Sequence, residues 1–157
     1  MTQRQAQLNE FLVDVFNDIL RLEELDLRQN CRNLSVTELH ILDAVAQCGA
    51  QGMPPVMAQV AAAVGVTSGT LTVAVKTLER KGYLTRARDA RDRRRVTLTL
   101  SPQAQPVLSA HAAFHETLVA QASAHLDPSQ LDSLCAALSG LHRYFRHELD
   151  TKKELFV

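Results

Sequence analysis

The chain has 157 residues, 46% of them hydrophobic and 22% charged, which is enough to bury one ordinary core. Aromatic residues make up only 4%, Trp is absent and the formal net charge is zero, a composition that favours helices over a β-sandwich or a barrel. No run approaches about 18 uninterrupted apolar residues and the first ten residues are polar, so we expect a cytoplasmic protein without a membrane span.

The first quarter of the chain predicts two helices. From Gln7 to Gln29 apolar residues recur at steps of three and four with charged residues between them, which is typical of one long amphipathic helix. Ser35 and Glu38 then form a capping-box pattern, in which the hydroxyl and the carboxylate satisfy free backbone N–H groups at a helix start. A second helix is expected from about Val36 to Cys48.

Two shorter helices separated by a glycine follow. The stretch from Gly49 to Pro55 predicts a loop, because it holds two glycines and two prolines and proline is tolerated in a helix only in its first turn. A third helix should run from about Pro55 to Val64. Gly65 should end it, since glycine takes a left-handed cap without steric cost, and Thr67 is placed to cap a fourth helix. Helix, tight turn and helix together indicate a helix-turn-helix.

An arginine-rich hairpin is expected after the fourth helix, which should end at Gly82. Residues 83–88 and 95–100 have the alternation of two β-strands around a polar tip at residues 89–94. A hairpin directly after a helix-turn-helix is a wing. The predicted DNA-binding domain is therefore residues 35–101.

The charge of the chain is segregated around this hairpin. Between Lys76 and Arg95 there are nine basic and three acidic residues, whereas the other 137 residues carry eight basic and fourteen acidic ones. Clustered cations are favoured by polyanions, because phosphates release counterions when they meet them. A basic surface for nucleic acid is the interpretation, and a solvated charged loop is the alternative.

The C-terminal part predicts two more helices and an interface. Apolar residues and one histidine recur at helical spacing in the first of them, at Val107, His111, Phe114, Leu118 and Ala122. A heptad seam, which needs another helix opposite it, follows at Leu131, Leu134, Leu138, Leu141 and Phe145. We therefore expect a homodimer held by residues 1–34 and 102–157, and a mainly α winged helix-turn-helix fold with a small β-wing.

The fourth helix is the predicted DNA-recognition helix. The major groove admits one α-helix, and the N-terminal part of that helix reaches the base edges. The predicted contact residues are Thr67, Ser68, Gly69, Thr70, Thr72, Lys76 and Arg80. Hydroxyls can donate or accept, and Lys76 can reach a guanine or a phosphate, whereas Thr67 is expected to act mainly as the helix cap.

The wing is expected to anchor the protein in the minor groove. Arg93 and Arg94 are the candidates, because the negative potential of a narrow minor groove attracts arginine. Asp92 is predicted to position the tip by pairing with Arg94 or Arg95 rather than to touch DNA.

These residues together resemble the MarR family of winged-helix regulators along the whole chain. The signature is Leu78-Glu-Arg-Lys-Gly82-Tyr-Leu84, then Asp92-Arg-Arg94, then the strand exit Leu98-Thr-Leu-Ser101. Within the family, residues 9–24, 34–40 and 67–72 look like the FabT subgroup.

The resemblance implies several properties beyond the fold. It implies a repressor of fatty-acid-biosynthesis genes, a palindromic double-stranded operator, and a long acyl group on acyl carrier protein as corepressor. It also implies an acyl tunnel near the dimerisation region, with Phe16, Ile19 and Phe114 as candidate lining; plain core packing is the alternative for these three residues. No cofactor is implied.

Other functions are weaker alternatives. His111 and His115 have the spacing of two metal ligands, but no carboxylate or cysteine nearby completes a set, so no metal site is predicted. Cys31 and Cys135 are expected to be buried as small hydrophobic residues, with oxidant sensing as the alternative. The sequence lacks the GxSxG, P-loop, GxGxxG and HExxH motifs, so an enzyme is not expected. A winged helix that binds only proteins is the remaining alternative.

Overall fold

The computed structural model describes residues 1–88, 92 and 95–154. In chain order its elements are α1 (Gln3–Asn30), α2 (Val36–Ala50), α3 (Met57–Val64), α4 (Ser68–Arg80), β1 (Leu84–Arg88), β2 (Val96–Leu100), α5 (Ala104–Ser123) and α6 (Pro128–Glu154). This helical order around one two-stranded sheet is the predicted winged helix-turn-helix fold class.

The first two helices both begin with a capping box. The Thr2 hydroxyl accepts from the Gln5 N–H, and the Gln5 side chain accepts from the Thr2 N–H, so α1 begins earlier than the predicted Gln7. The prediction was late because this polar segment carries no apolar periodicity. At α2 the predicted box is confirmed, with Ser35 and Glu38 exchanging hydrogen bonds of 2.8 and 3.2 Å.

The start of α3 differs from the prediction. The helix begins at Met57 rather than at Pro55, and Val56 is an extended N-cap. Pro55 accepts a hydrogen bond from the Leu98 N–H at 2.9 Å, and Val56 forms a β-bridge with Thr97. This short segment therefore pairs with the free edge of β2, a place where proline is tolerated because the sheet does not need its missing N–H.

The turn between α3 and α4 is formed as predicted. Gly65 has a φ of +76°, and the N–H groups of Gly65 and Val66 both donate to the Ala61 carbonyl, at 2.9 and 3.1 Å. Thr67 then caps α4 by accepting a hydrogen bond from the Thr70 N–H at 3.1 Å. The tight turn sets the angle at which α4 leaves α3.

The sheet forms the base of the wing. β1 and β2 are antiparallel, with Leu84 opposite Leu100, and the Ser101 N–H donates to the Tyr83 carbonyl at 2.9 Å. The two strands therefore pair along their whole length, from Leu84 opposite Leu100 to Arg88 opposite Val96.

The core lies where α2, α3, α4 and the sheet meet. Its largest fully buried side chains are Ile41, Leu42, Val60, Leu71, Val75, Leu78, Leu84 and Leu98. Burying a side chain of this size contributes about 1.5 to 3 kcal/mol. The helix-turn-helix is thus stabilised by the hydrophobic core that packs against one side of it.

The chain divides into two compact units, Met1–Phe114 and a second that begins at His115. In the first unit α1 exposes large apolar side chains, namely Leu8, Phe11, Val15, Phe16, Ile19, Leu22 and Leu25. In the second unit α6 exposes Leu131, Leu134, Leu138, Tyr144, Phe145 and Leu149. Cys135 of α6 is exposed as well, so the expected burial of this thiol is wrong for the single chain.

Within the described part of the chain no single helix is long and apolar enough to cross a membrane. Only α3 and α4 taken together meet the length and composition for it, and they are bent by 106°.

Candidate DNA-binding surface

α4 turns one face to the core and the opposite face to solvent. Its buried side is formed by Leu71, Val75 and Leu78, all with no accessible surface. Because each helical residue advances by about 100°, the residues opposite this side are a defined set. We call them the outer face of α4: Gly69, Val73, Lys76 and Arg80, all exposed.

The outer face has an apolar residue at its centre. Val73 is 67% exposed, although valine side chains are more often buried in the core. Val73 was not among the predicted contact residues, although its helical angle to the buried Leu71 and Val75 can be read from the sequence. An exposed valine one helical turn before Lys76 suits contact with a thymine methyl group.

Some of the hydroxyl groups at the start of α4 form hydrogen bonds within the protein. The Thr67 hydroxyl caps the helix and lies 2.9 Å from the Thr70 hydroxyl. The Thr72 hydroxyl donates to the Ser68 carbonyl at 2.7 Å, so it keeps its methyl group and its lone pairs for other partners. Ser68 and Gly69 are exposed at the helix N-terminus, where the dipole favours a phosphate.

Two of the cations counted in the sequence are paired within the protein. Lys81 donates hydrogen bonds to both carboxylate oxygens of Glu38 at 2.9 and 2.8 Å. The Arg86 guanidinium lies 2.9 Å from a carboxylate oxygen of Glu79. The sequence count therefore overstates the positive charge that this region presents to a partner.

The Lys81 contact changes the protonation of Glu38. Burial acts to raise the pKa of this carboxyl group, but the hydrogen bonds from Lys81 and from the Ser35 N–H, together with the Lys81 charge, lower the pKa below its ordinary value. Glu38 is therefore a carboxylate at neutral pH, and it joins the start of α2 to the end of α4.

The wing presents one cation at the end of β1 and another directly before β2. Arg88 and Arg95 are exposed, and the Arg95 N–H donates to the Asp92 carbonyl at 2.9 Å. Asp92 is exposed too. Arg93 and Arg94 lie outside the described residues, so the minor-groove contacts and the Asp92–Arg94 pair remain predictions.

The three candidate ligand residues do not form a closed pocket in the single chain. Phe16 is 64% and Ile19 37% exposed on α1, and Phe114 is half-buried on α5. A cavity of about 80 Å³ in the first unit has other lining residues, among them Leu27, Cys31, Leu39, Val107 and His111. Ligand pockets usually measure about 300 to 1,000 Å³, so this cavity is too small for a long acyl chain.

A buried carboxylate close to His111 was missed by the sequence analysis. Glu23 of α1 has its Oε1 atom 3.6 Å from Nδ1 of His111 and 2.7 Å from Nε2 of His40. The three residues belong to α1, α2 and α5, and sequence spacing carries no signal for contacts between such distant segments.

A family model matches the segment of the chain that contains the helix-turn-helix. The model describes the MarR family and matches residues 34–96, the segment that contains α2, α3, α4 and β1. These residues of the chain are similar to the MarR family. The proteins that the chain resembles are transcriptional regulators, and one of them was solved in complex with DNA.

Individual proteins of known structure or sequence resemble the chain over most of its length. It is 29% identical over 108 residues to the HTH-type transcriptional regulator YkoM of Bacillus subtilis, with 68% of each chain covered. It superposes on Streptococcus pneumoniae FabT in complex with DNA with a TM-score of 0.82 and 29% identity, covering 91% of this chain and 98% of that one. For the transcriptional regulator BldR of Sulfolobus solfataricus the TM-score is 0.66 and the identity 26%, with 88% and 99% covered.

Proposed function

We propose that the chain is a MarR-type transcriptional regulator that binds DNA. We further propose that it is a homodimeric repressor of fatty-acid-biosynthesis genes, with a long acyl group on acyl carrier protein as corepressor. The observation that carries the proposal is the similarity to FabT in complex with DNA, which extends over 91% of the chain at 29% identity. In the sequence, residues 9–24 of α1 also resemble the FabT subgroup.

For DNA contact we propose that the outer face of α4 enters the major groove. Lys76 and Arg80 are exposed next to Val73, so one face offers both charge for phosphate or guanine and a methyl group for thymine. Ser68, Gly69, Thr70 and Thr72 lie at the end of α4 that would approach the bases, with Thr67 as its cap. At the wing the proposed contacts are Arg93 and Arg94, with Asp92 positioning the tip.

For assembly we propose that residues 1–34 and 102–157 hold the dimer and that residues 35–101 bind DNA. The support is that α1 exposes large apolar side chains and that α6 does so too, because an exposed apolar helix face commonly marks an interaction surface. A two-fold dimer presents two copies of α4, which fits a palindromic operator with half-sites about one helical turn apart.

For the corepressor we propose that the acyl chain lies along α1, with Phe16 and Ile19 as lining and Phe114 as a third contact. Phe16 and Ile19 are apolar and exposed, whereas the 80 Å³ cavity lined by Leu27 and His111 is too small for a long acyl chain. The remaining wall of such a site would come from the second subunit.

The corepressor proposal is tested with a labelled operator and two forms of acyl carrier protein. We expect fluorescence anisotropy to give a lower Kd for DNA when the carrier bears a long acyl chain than when it bears only its prosthetic group. Equal Kd values with both forms would reject the corepressor, while operator binding would still support the DNA-binding surface. Phe16→Ser should remove the effect of the acylated carrier, and Val119→Ser, an equally exposed apolar position on α5, serves as the control.

A further inference from the structure

The end of α4 is linked to two neighbouring elements by ion pairs. Lys81 pairs with Glu38 of α2. Glu79 pairs with Arg86 of β1, and the guanidinium Nε lies 2.9 Å from the Glu79 carboxylate oxygen Oε2. Because successive helical residues are rotated by about 100°, Glu79 and Lys81 point to nearly opposite sides of the helix axis. The end of α4 is therefore joined to α2 on one side and to the base of the wing on the other.

Arg86 contacts α4 beyond the buried end of β1. Of the five residues of β1 only Leu84 is buried, and the other four are exposed. Arg86 lies two positions after Leu84, so both side chains are on the same face of the sheet. It also lies opposite Leu98, which is 1% exposed. Along β1 the contact with α4 therefore changes from apolar packing at Leu84 to an ion pair at Arg86.

We propose that Glu79 and Arg86 are positioning residues for DNA binding, which hold the wing at a fixed angle to α4. This inference rests on the DNA-binding function proposed above, in which the outer face of α4 enters the major groove and the wing tip enters the minor groove. Both contacts form together only when the angle between α4 and the wing matches the spacing of the two grooves. Glu79 and Arg86 act through that angle and not by touching the DNA.

The length of the hairpin makes its tip sensitive to the angle. A strand rises by about 3.3 Å per residue, so Arg88 lies about 13 Å along β1 from Leu84. A rotation of the wing by about 5° around Leu84 then moves Arg88 by about 1 Å. Donor–acceptor distances of N–H···O hydrogen bonds vary by only about 0.5 Å. A small rotation is therefore enough to break hydrogen bonds between the wing tip and the DNA.

The exposure of the pair separates positioning from stability. The side chains of Arg86 and Glu79 are 37% and 35% exposed. Ion pairs with this exposure contribute little to the free energy of unfolding, because solvent screens the charges and both side chains lose conformational freedom. A substitution that breaks the pair should therefore leave the chain folded and change the wing angle. Arginine suits this role better than lysine, since its planar guanidinium fixes the direction of the contact.

The first experiment uses Glu79→Asp, which keeps the charge but shortens the side chain by one methylene group. Fluorescence anisotropy gives the Kd for a duplex selected from a random DNA library and for a scrambled duplex of equal length. We expect the Kd for the selected duplex to rise about three- to tenfold. The Kd for the scrambled duplex should stay the same, because nonspecific binding depends on charge. Arg86→Lys, which also keeps the charge, should have the same effects.

The matched control is Glu24→Asp, which shortens the carboxylate side chain of an exposed pair with Arg28 on α1. It should change neither Kd. Equal Kd values of wild type and Glu79→Asp for the selected duplex would reject the positioning role and leave DNA binding intact. Equal losses on both duplexes would also reject it, because a changed angle acts on specific binding. A wild type that selects no duplex would overturn the DNA-binding function and this inference with it.

A second measurement needs no DNA. NMR relaxation and relaxation dispersion of backbone ¹⁵N nuclei report motion on the ps–ns and μs–ms timescales. We expect Glu79→Asp to increase motion at Arg88 and Val96, near the wing tip, and to leave Leu84 in the core unchanged. The urea unfolding midpoint should stay close to that of wild type. Identical relaxation of the wing in the two proteins would show that the pair does not hold it.

Discussion

Lys81, the residue after α4, donates hydrogen bonds to both carboxylate oxygens of Glu38, which stands in the first turn of α2. Lys81 belongs to the signature by which the sequence resembles the MarR family. Its ammonium group nevertheless faces the protein, with only 24% of the side chain exposed. The contact holds the end of α4 at a fixed distance from α2.

We expect Glu38→Gln to destabilise the fold by about 1 to 3 kcal/mol at neutral pH, because a charged hydrogen-bonded pair is lost and Lys81 remains partly buried. Urea unfolding followed by circular dichroism measures this difference. Glu24→Gln removes an exposed carboxylate paired with Arg28 and should change stability by no more than about 0.5 kcal/mol.

The effect of Glu38 should depend on pH in one direction. The folded-state pKa of Glu38 is lowered, so its stabilisation is present above the unfolded-state pKa of about 4.3 and is lost as the pH falls through the lower folded value. The difference in stability between wild type and Glu38→Gln should therefore be constant near neutral pH and shrink below about pH 4. A difference that grows on acidification would contradict the lowered pKa.

For the proposed DNA surface, Lys76→Ala and Arg94→Ala should each weaken operator binding by about 1 to 3 kcal/mol and reduce its salt dependence. Gel-shift or anisotropy titrations at several salt concentrations measure both quantities. Lys152→Ala removes an exposed lysine near the end of α6 and provides a control of equal charge change. Unchanged affinity in both test variants would refute the proposed contacts.

Val73→Ala should weaken operator binding by about 0.5 to 1.5 kcal/mol without reducing stability, because the side chain is largely exposed in the free protein. The loss should be concentrated at one A·T base pair, which a scan of operator substitutions would reveal. Val119→Ala, another strongly exposed valine, should leave DNA affinity unchanged. Equal losses for the two variants would argue against a direct contact by Val73.

Leu138→Glu should weaken the proposed dimer, since it places a charge within the exposed apolar seam of α6. Sedimentation velocity at micromolar concentration should then show a larger monomer fraction than for wild type. Ala136→Glu introduces the same charge on the opposite side of α6 and should preserve the dimer. A wild-type protein that is already a folded monomer would reject the dimer itself.

Local patterns in the sequence predicted most of the fold. The capping box at Ser35, the left-handed Gly65 and the cap at Thr67 depend on residues three or four positions apart, and all three are confirmed. The extended Pro55–Val56 segment was mistaken for helix because its partner, β2, is about 40 residues away.

In the candidate sites too, local patterns predicted some features, whereas contacts between distant residues were missed. The outer face of α4 follows from helical periodicity, although Val73 was overlooked. The Glu38–Lys81 pair joins residues 43 positions apart, and the Glu23–His40 contact joins two helices. Ionic partners at such separations depend on how the helices pack, which residue spacing does not encode.

The hydroxyl of Tyr83 donates a hydrogen bond to Asn33 at 2.9 Å and lies 3.3 Å from the sulfur of Cys31. Tyr83 immediately precedes β1, and Asn33 lies in the connection from α1 to α2. Any movement of α1 relative to the helix-turn-helix must therefore either break the Tyr83–Asn33 hydrogen bond or move the base of the wing with it. A signal sensed along α1 thus has a mechanical route to the hairpin that does not pass through α4.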